Sequence, residues 1–352
     1  MAARHRFLPV NEIHIDRIPV TVGARSYTVA IGPGVRHELP DVLGALDARR
    51  VVVVSSRPTE WTPDPGIPAR VIQLSDGEHT KTLTTVESLC RSFAEFGLGR
   101  RDAVVACGGG TITDTTGLAA SLYHRGIPVV HLPTSLLAQV DASVGGKTAV
   151  NLPGGKNLIG SYWQPSAVLC DTDYLSTLPV REQLNGLGEL ARCHFIGVPG
   201  IGSLPLGQQI VASVRLKASI VGVDERDSGL RHILNYGHTL GHAVERATDF
   251  RIRHGEAVAI GTYFAGALAQ AVGRIDLARK QEHLDVLRSY GLNPALPADL
   301  ATDDLLPLLR ADKKATHGLS FVLDGPNGVE LVSDVDPGLV HDALAEMPRE
   351  ER

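Results

Sequence analysis

Five short runs of apolar, mostly β-branched residues recur through the first half of the 352-residue sequence: VVVV (51–54), VIQL (71–74), AVVAC (103–107), VVHL (129–132) and AVLC (167–170). Short, mostly apolar runs rich in β-branched residues are typical of parallel strands that are buried on both faces of a sheet. Segments with helical periodicity separate them. The alternation predicts a doubly wound, Rossmann-like α/β domain that binds a nucleotide.

Two local sequence patterns predict a hairpin and a capped helix within this domain. IPVTV (18–22) and YTVAIG (27–32), joined by GARS, predict a β-hairpin ahead of the parallel strands. In TTVESLCRSFAEFGLG, Thr84 and Glu87 have the spacing of a capping box, and Gly97 predicts the end of the same helix.

The pattern changes after about Leu178. Helical periodicity then dominates, and SFVLDGPNGVELV predicts one late hairpin. The predicted helical segments are 180–195, 206–224, 229–247, 255–272, 276–290 and 301–311. We therefore predict an α/β domain over residues 1–178 and a mostly α-helical domain over 179–352.

Composition excludes several classes of protein. The net charge is −5, which argues against a nucleic-acid-binding protein, since such proteins are normally basic. The four cysteines form no C-x-x-C pair, as expected of a reduced, cytoplasmic protein. The N-terminal residues lack an apolar signal region, and no stretch approaches the roughly 18 apolar residues of a membrane span. We expect neither secretion nor membrane insertion.

A glycine cluster marks the predicted nucleotide site. CGGGTITDTTG follows a strand and opens a helix, so Gly108, Gly109 and Gly110 would let a pyrophosphate approach a helix N-terminus. Steric needs of a strand-to-helix turn explain the same glycines, and the motif alone leaves both interpretations open.

Cationic residues crowd the segment that follows. PTSLLAQVDASVGGKTAVNLPGGKNLIG places Lys147 and Lys156 beside glycine turns, with Asn157 next to the second. Isolated lysines are usually solvated, but this pairing favours phosphate contacts. Lys217 lies in an otherwise apolar stripe of helix 206–224, where it either reaches solvent or meets a buried anion.

The sharpest pattern is NYGHTLGH. Within the predicted helix 229–247, Arg231, Asn235, His238 and His242 follow +4, +3, +4 spacing and would share one face. A plain surface helix would more often carry Glu and Lys there.

Two further residues extend this pattern. His254 begins the next helix, and Glu189 lies upstream in GLGELARCHF. Together with His238 they make one Glu and two His from three segments, a usual ligand set for catalytic zinc.

With these residues the sequence resembles the sugar phosphate cyclases, and among them the 3-dehydroquinate synthases. The resemblance covers about residues 70–324 and rests on DGEHTK, GGGTITD, HRG, PTSLLAQVDASVGGKTAVN, GKNLIG, DERDSGLRHILNYGHTLGHA, HGEAVAIG and DKK. It implies an N-terminal NAD-binding domain and a helical metal-binding domain, in a homodimer. The implied reaction oxidises a substrate alcohol, eliminates phosphate, reduces the ketone again and closes a carbocycle, so NAD is not consumed.

The resemblance also implies residue roles. The metal, zinc or cobalt, would be bound by Glu189, His238 and His254. The substrate phosphate would be held by Lys147, Asn157, Asn235, His242 and Lys314. A substrate carboxylate would be held by Lys217 and Arg231. The predicted catalytic set also includes Asp141, Arg192, Asp227 and Arg125, the last resembling the arginine that reaches the partner subunit's site. NAD would contact Asp76, Glu78, Lys81, Gly109, Gly110, Thr111, Asp114, Thr134, Ser135, Asp141, Lys147, Lys156, Tyr174, Thr177 and Glu182.

Four features depart from the family pattern. Arg192 stands where relatives carry lysine and Asp227 where they carry glutamate, a pair we interpret as compensating changes near the substrate hydroxyls. The interval from Glu189 to Lys217 is short, as if a helix were missing. VVVVSSRP lacks the acidic residue that often meets the adenine ribose.

These departures leave several substrates open. The predicted Lys217–Arg231 pair needs a carboxylate partner, which favours 3-deoxy-D-arabino-heptulosonate 7-phosphate over sedoheptulose 7-phosphate, the precursor of valiolone-type products. An amino-sugar analogue that gives aminodehydroquinate is a further alternative. A metal-dependent polyol dehydrogenase and an inactive paralogue are less favoured.

Overall fold

The computed structural model describes residues 14–153, 155–311 and 319–350. Its internal contacts divide the described chain into two compact units. The first unit contains the described residues up to Leu178 together with Leu204–Gly222, and the second contains Pro179–Ser203 and the described residues from Val223 onward. No helix in the described part of the chain has the length and apolar character needed to cross a bilayer.

Strands and helices are numbered in chain order. The strands are β1 (Asp16–Val20), β2 (Tyr27–Gly32), β3 (Val51–Ser55), β4 (Ala69–Gln73), β5 (Ala103–Gly108), β6 (Val129–Pro133), β7 (Lys147–Leu152), β8 (Gly155–Tyr162), β9 (Ala167–Asp171), β10 (Leu319–Leu323) and β11 (Glu330–Val335). The α-helices are α1 (Leu39–Ala45), α2 (Leu83–Phe96), α3 (Gly110–Leu122), α4 (Val180–Ile196), α5 (Leu206–Val223), α6 (His238–Ala247), α7 (His254–Ala271), α8 (Leu277–Ser289), α9 (Thr302–Ala311) and α10 (Pro337–Ala345).

The first unit is built on a seven-stranded sheet in the order β1-β2-β9-β6-β5-β3-β4. β1 and β2 form the predicted antiparallel hairpin, and the other neighbouring strands run parallel. The five apolar runs are strands of this sheet, and β3, β5, β6 and β9 are buried along their whole length. The predicted α/β architecture is therefore confirmed.

The start of α2 differs from the prediction. Thr82, not Thr84, caps the helix, and its hydroxyl accepts a hydrogen bond from the Thr85 amide at 3.1 Å. Glu87 instead accepts a hydrogen bond from Arg91, one turn later on the exposed face. The predicted capping box is wrong because the chain enters the helix two residues earlier. Gly97 ends the helix with a φ of 75°, as predicted.

A second hairpin was not predicted. β7 and β8 pair with each other in an antiparallel ribbon that includes KTAVNL and GKNLIGSY. Its residues are polar and interrupted by glycine, so the sequence has little of the apolar alternation that marks a strand. The ribbon carries Lys147, Lys156 and Asn157, three of the predicted site residues.

The second unit is mostly helical, as predicted, with β10 and β11 forming the late hairpin. The predicted continuous helix over 229–247 is wrong. Leu230–Asn235 forms a 3-10 helix, and α6 begins separately at His238. Gly237 separates them with a φ of 81°, and an added Cβ there would lie 2.5 Å from Thr262 Oγ1. His238 and His242 therefore share a helical face, whereas Asn235 does not belong to that helix.

Candidate active site

Three predicted metal ligands lie together in the second unit. The Nε2 atoms of His238 and His254 are 3.5 and 3.2 Å from the same carboxylate oxygen, Glu189 Oε1. One donor atom from each residue lies within 4.8 Å of the other two. The ligands come from three elements, since Glu189 lies within α4 and the two histidines are the first residues of α6 and α7.

Glycines allow these three helices to approach closely. A Cβ on Gly255 would lie 1.7 Å from the carbonyl oxygen of Asn185, one turn before Glu189 on α4. A Cβ on Gly261 would lie 1.8 Å from the carbonyl oxygen of Gly237, next to His238. Side chains at these positions would force the backbones apart, so the glycines set the spacing of the ligands.

The three residues fit a divalent cation. Glu189 Oε1 is buried and, within the described chain, makes no hydrogen bond. Although burial opposes its ionisation, Arg192 and the two histidines hold the pKa of Glu189 well below its usual range. Burial lowers the pKa of His238 to about 3, so this ring is neutral near pH 7, as a ligand must be.

His254 is held differently. Burial disfavours its protonation, but the adjacent carboxylates of Glu189 and Glu245 outweigh burial and raise its pKa to about 10. A cation would displace that proton. The second ring nitrogens are also engaged: His238 Nδ1 lies 3.2 Å from the Tyr236 carbonyl oxygen, and His254 Nδ1 lies 3.1 Å from Glu245 Oε2.

Arg192 occupies the other side of the Glu189 carboxylate. Its Nε donates to Glu189 Oε2 at 2.8 Å, and its guanidinium also donates to the carbonyl oxygen of Leu234. The Arg192 side chain is buried. Arg192 thus engages Oε2 of the carboxylate, while Oε1 faces the two histidines.

The sequence interpretation missed Glu245. This residue follows His238 by seven positions and His242 by three, spacings that place all three on one face of α6. His242, Glu245 and His254 form a second group whose donor atoms lie within 4.8 Å of one another. The His242 ring lies 5.4 Å from the His238 ring, between centroids.

The segment before α6 carries Arg231 on a tight backbone turn. Asp224 accepts hydrogen bonds from the amides of Ser228, Gly229 and Arg231, and these bonds, led by that of Ser228, hold the pKa of Asp224 below its usual range. The buried guanidinium of Arg231 donates to the Glu225 carbonyl oxygen at 2.5 Å.

Two other predicted residues lie near this turn. Asn235 is half-buried at the end of the 3-10 helix. Asp227 has a φ of 59° and lies 3.8 Å from His232 Nδ1. Compensation between Asp227 and Arg192 stays a prediction.

In the first unit, Lys81 connects two predicted sites. Its buried ammonium donates to Asp114 Oδ2 and to Asn157 Oδ1, both at 2.6 Å. Burial raises the pKa of Asp114 even though Lys81 opposes that rise. Burial would also raise the pKa of Glu78, but Lys81 and Lys156 outweigh it and lower that pKa.

The glycine cluster lies at the carboxyl end of β5. Gly109 caps α3 and Gly110 is the first residue of that helix, with Thr111 in the first turn. A Cβ on Gly109 would lie 3.3 Å from Asp76 Oδ2 and 3.5 Å from Ser135 Oγ, so these three predicted cofactor residues are neighbours. The Thr134 amide donates to the Gly108 carbonyl oxygen at 2.9 Å.

Lys217 is buried and pairs with a half-buried carboxylate, so it does not extend into solvent. Its Nζ donates to the main-chain oxygen and to Oδ1 of Asp141, each at 2.7 Å. Asp141 lies in a short π-helical turn, Ala138–Ala142. The two predicted site residues are therefore brought together.

The remaining predicted residues are more scattered. Arg125 and Lys147 are exposed, and Arg125 has a φ of 65°. Tyr174 is buried, and its hydroxyl donates to the Trp61 carbonyl oxygen at 2.8 Å. Thr177 accepts a hydrogen bond from Arg57, and Glu182 lies 3.5 Å from Arg253. The prediction for Lys314 lies outside the described residues.

Comparison with known proteins agrees with this assembly of residues. Residues 71–185 match the family model described as 3-dehydroquinate synthase N-terminal, and residues 199–315 match the C-terminal one. A protein of Amycolatopsis mediterranei strain S699 named "Putative aminodehydroquinate synthase" is 65% identical over 95% of each chain. The 3-dehydroquinate synthase of Mycobacterium leprae is 40% identical over 93% of this chain and 97% of its own.

Solved structures define the class as the sugar phosphate cyclases. 2-Deoxy-scyllo-inosose synthase, in complex with carbaglucose-6-phosphate, NAD+ and Co2+, matches with a TM-score of 0.85 at 26% identity over 94% of this chain and 100% of its own. The 2-epi-5-epi-valiolone synthase of Streptomyces hygroscopicus, with NAD+ and Zn2+ bound, matches at 0.79 and 26% identity over 97% and 99%. The chain belongs to the 3-dehydroquinate synthase family.

Proposed function

We propose that this enzyme cyclises a heptulosonate 7-phosphate with loss of phosphate, using NAD and a divalent cation. The observation that carries the proposal is the Glu189–His238–His254 cluster, in which two imidazole nitrogens face one buried carboxylate oxygen. The NAD+ and Co2+ or Zn2+ bound to the related cyclases support the same cofactors here. We propose zinc as the usual cation, with cobalt as a substitute.

The favoured substrate is the amino analogue of 3-deoxy-D-arabino-heptulosonate 7-phosphate, which gives aminodehydroquinate. The 65% identity with the Amycolatopsis mediterranei protein supports this choice, since 3-dehydroquinate synthases such as that of Mycobacterium leprae match at 40%. The unsubstituted substrate is the second candidate because those synthases still align over more than nine-tenths of the chain. Both substrates carry the carboxylate that Lys217 and Arg231 are proposed to recognise.

The residues of the proposed metal site have different roles. A bound cation would act as a Lewis acid on a substrate alcohol. Glu189 supplies negative charge through Oε1, while Arg192 holds Oε2 and prevents the carboxylate from rotating. His238 is kept neutral by burial, and its Nδ1 faces a main-chain oxygen, which directs Nε2 toward Glu189.

The residues of the first unit suit NAD and phosphate. The amino end of α3 beside Gly109 is suited to a pyrophosphate, because helix N-termini present free amides. Lys81 holds Oδ1 of Asn157, which leaves the amide nitrogen of that side chain to donate to the substrate phosphate. Positioning of this kind suits a reaction in which the departing phosphate takes up the proton itself.

The test is a substrate comparison. Purified enzyme with NAD and zinc is incubated separately with the amino heptulosonate phosphate, its unsubstituted counterpart and sedoheptulose 7-phosphate, while phosphate release and product mass are followed. We expect the largest kcat/KM with the amino substrate and no net NADH. Phosphate release from sedoheptulose 7-phosphate alone would refute the proposed carboxylate recognition.

Net NADH formation from simple polyols would favour a dehydrogenase instead. A probable glycerol dehydrogenase of Sinorhizobium meliloti matches with a TM-score of 0.65 at 18% identity, which shows a shared fold and nothing about activity.

A further inference from the structure

We propose that Glu245 is a positioning residue for the metal site, which orients the His254 ring so that Nε2 faces the cation. The inference rests on the proposed metal-dependent function, and it adds a residue to which neither the family resemblance nor the comparisons give a role. Glu245 lies on α6, two turns after His238, and its carboxylate contacts a histidine at the start of α7.

Burial makes this carboxylate unusual. The Glu245 side chain is 3% exposed, and the two residues before it, Ala243 and Val244, are also buried. A buried carboxylate is costly unless it is paired and hydrogen-bonded. Its Oε2 lies 3.1 Å from Nδ1 of His254, so one partner of Glu245 is the ring that we propose as a ligand.

The ring of His254 therefore bridges two carboxylates on opposite sides. Nδ1 faces Glu245 at 3.1 Å and Nε2 faces Glu189 at 3.2 Å. When Nδ1 carries a proton and donates it to Glu245, Nε2 presents its lone pair to the space beside Glu189. A carboxylate in this position fixes the tautomer and the angle of the ring and makes the ligating nitrogen a stronger donor.

A second arrangement of these residues could also hold a cation. His242, Glu245 and His254 also have donor atoms within 4.8 Å of one another, and a cation bound there would make Glu245 a ligand. Two observations favour Glu189 as the ligand. Its Oε1 is buried without a hydrogen bond in the described chain, and Nε2 atoms of two histidines face it. The geometry assigns ligation to Glu189 and orientation to Glu245.

The experiment compares metal binding by full-length variants. Glu245→Gln keeps the shape and a carbonyl oxygen that still accepts from Nδ1, whereas Glu245→Ala removes the acceptor. Glu282→Gln is the matched control, because Glu282 also pairs with a histidine of the second unit, His194, at 2.8 Å. Apo protein is titrated with Co2+ by visible absorption, and Zn2+ affinity is measured by competition with a chelator.

We expect the zinc affinity to fall about 10- to 100-fold in Glu245→Ala. Glu245→Gln should lose less, and Glu282→Gln should remain within about twofold of the parent protein, because the Glu282–His194 pair includes none of the proposed ligands or their partners. The shape of the Co2+ spectrum should stay the same in Glu245→Gln, because the ligand set is unchanged. Because Glu245→Gln is nearly isosteric, it keeps the test decisive even if Glu245→Ala does not fold.

Two results would overturn the inference alone. One is parent-like metal affinity in both Glu245 variants, and the other is a changed Co2+ spectrum in Glu245→Gln, which would make Glu245 a ligand. Absence of Zn2+ and Co2+ binding by the parent protein would overturn the proposed metal-dependent function as well, so the two failures are distinguishable.

Discussion

Replacing Gly255 by alanine should separate two helices that carry predicted metal ligands. An alanine Cβ at this position would lie 1.7 Å from the Asn185 carbonyl oxygen, whereas real Cβ contacts are essentially never shorter than 3.0 Å. Movement of at least about 1.3 Å along that line is therefore required. The Gly255 amide also donates to Asn185 Oδ1 at 2.7 Å, and the displacement would disturb this bond.

The same displacement would change the spacing of two predicted metal ligands, His254 and Glu189. His254 precedes Gly255 directly, and Glu189 lies one turn after Asn185 on α4, so the displacement acts on the 3.2 Å separation of Glu189 Oε1 and His254 Nε2. Zinc–ligand distances vary by only about 0.2 Å. We expect overpacking to lower the free energy of unfolding by about 1–3 kcal/mol and zinc affinity to fall more than about tenfold.

Urea unfolding and zinc competition measure the two effects separately. Gly207→Ala is the control, since Gly207 lies in α5 and an added Cβ there meets nothing within 4 Å. The control should change the free energy of unfolding by no more than about 1 kcal/mol, in the stabilising direction. If Gly255→Ala unfolds and binds zinc like the parent protein, close helix approach does not set the ligand spacing.

Three other predictions concern His131, Lys81 and Arg192. Burial lowers the pKa of His131 to about 4, below the 6.5 of an unfolded histidine, so its contribution to stability is complete above pH 6.5 and is lost as the pH falls toward 4. Between pH 7.5 and 5 the parent protein should lose about 2 kcal/mol more free energy of unfolding in urea than His131→Asn, because the losses from the buried His238 and His283 are common to both; equal pH dependence in the two proteins would contradict this. Lys81→Met removes the 2.6 Å hydrogen bonds from the ammonium to Asp114 and Asn157 and should weaken NADH binding more than about tenfold. Fluorescence titration measures this affinity, and an unchanged value would place Lys81 outside the cofactor site. Arg192→Lys should lower the free energy of unfolding by about 1–3 kcal/mol, since a single ammonium cannot reproduce the guanidinium's hydrogen bonds to Glu189 and to the Leu234 carbonyl oxygen. Urea unfolding measures this change, and parent-like stability would contradict the prediction.

The sheet was predictable because burial on both faces favours nearly continuous apolar strands, and β3, β5, β6 and β9 are fully buried with few polar residues. The β7–β8 ribbon was not predictable in this way, because it pairs only with itself within the described chain and is partly exposed. Residue spacing likewise could not reveal the break before α6. A +4, +3, +4 pattern is compatible with a continuous helix, whereas Gly237 has a positive φ and lies against residues of α7, a contact that the local sequence does not encode.

The candidate site, too, was predictable only in part. Zinc chemistry pointed to Glu189, His238 and His254 because these residue types recur in catalytic ligand sets. The spacing within α6 puts Glu245 on the face of His238 and His242, but its contact with His254 comes from another helix and follows only from the fold. Lys217 was recognised as unusual in an apolar stripe, but only the fold supplied its partner, Asp141.

Charge within the buried ligand cluster explains why two carboxylates and one arginine occur together. With both histidines neutral, Glu189, Glu245 and Arg192 carry one net negative charge, which is costly to bury. A proton on His254 neutralises the cluster, in agreement with its raised pKa of about 10. A divalent cation that displaces this proton leaves one net positive charge, which favours an anionic, oxygen-rich substrate over a neutral polyol. Removing Glu245 would add a further positive charge to the metal-bound cluster, so electrostatics and ring orientation both predict weaker cation binding in the Glu245→Ala variant.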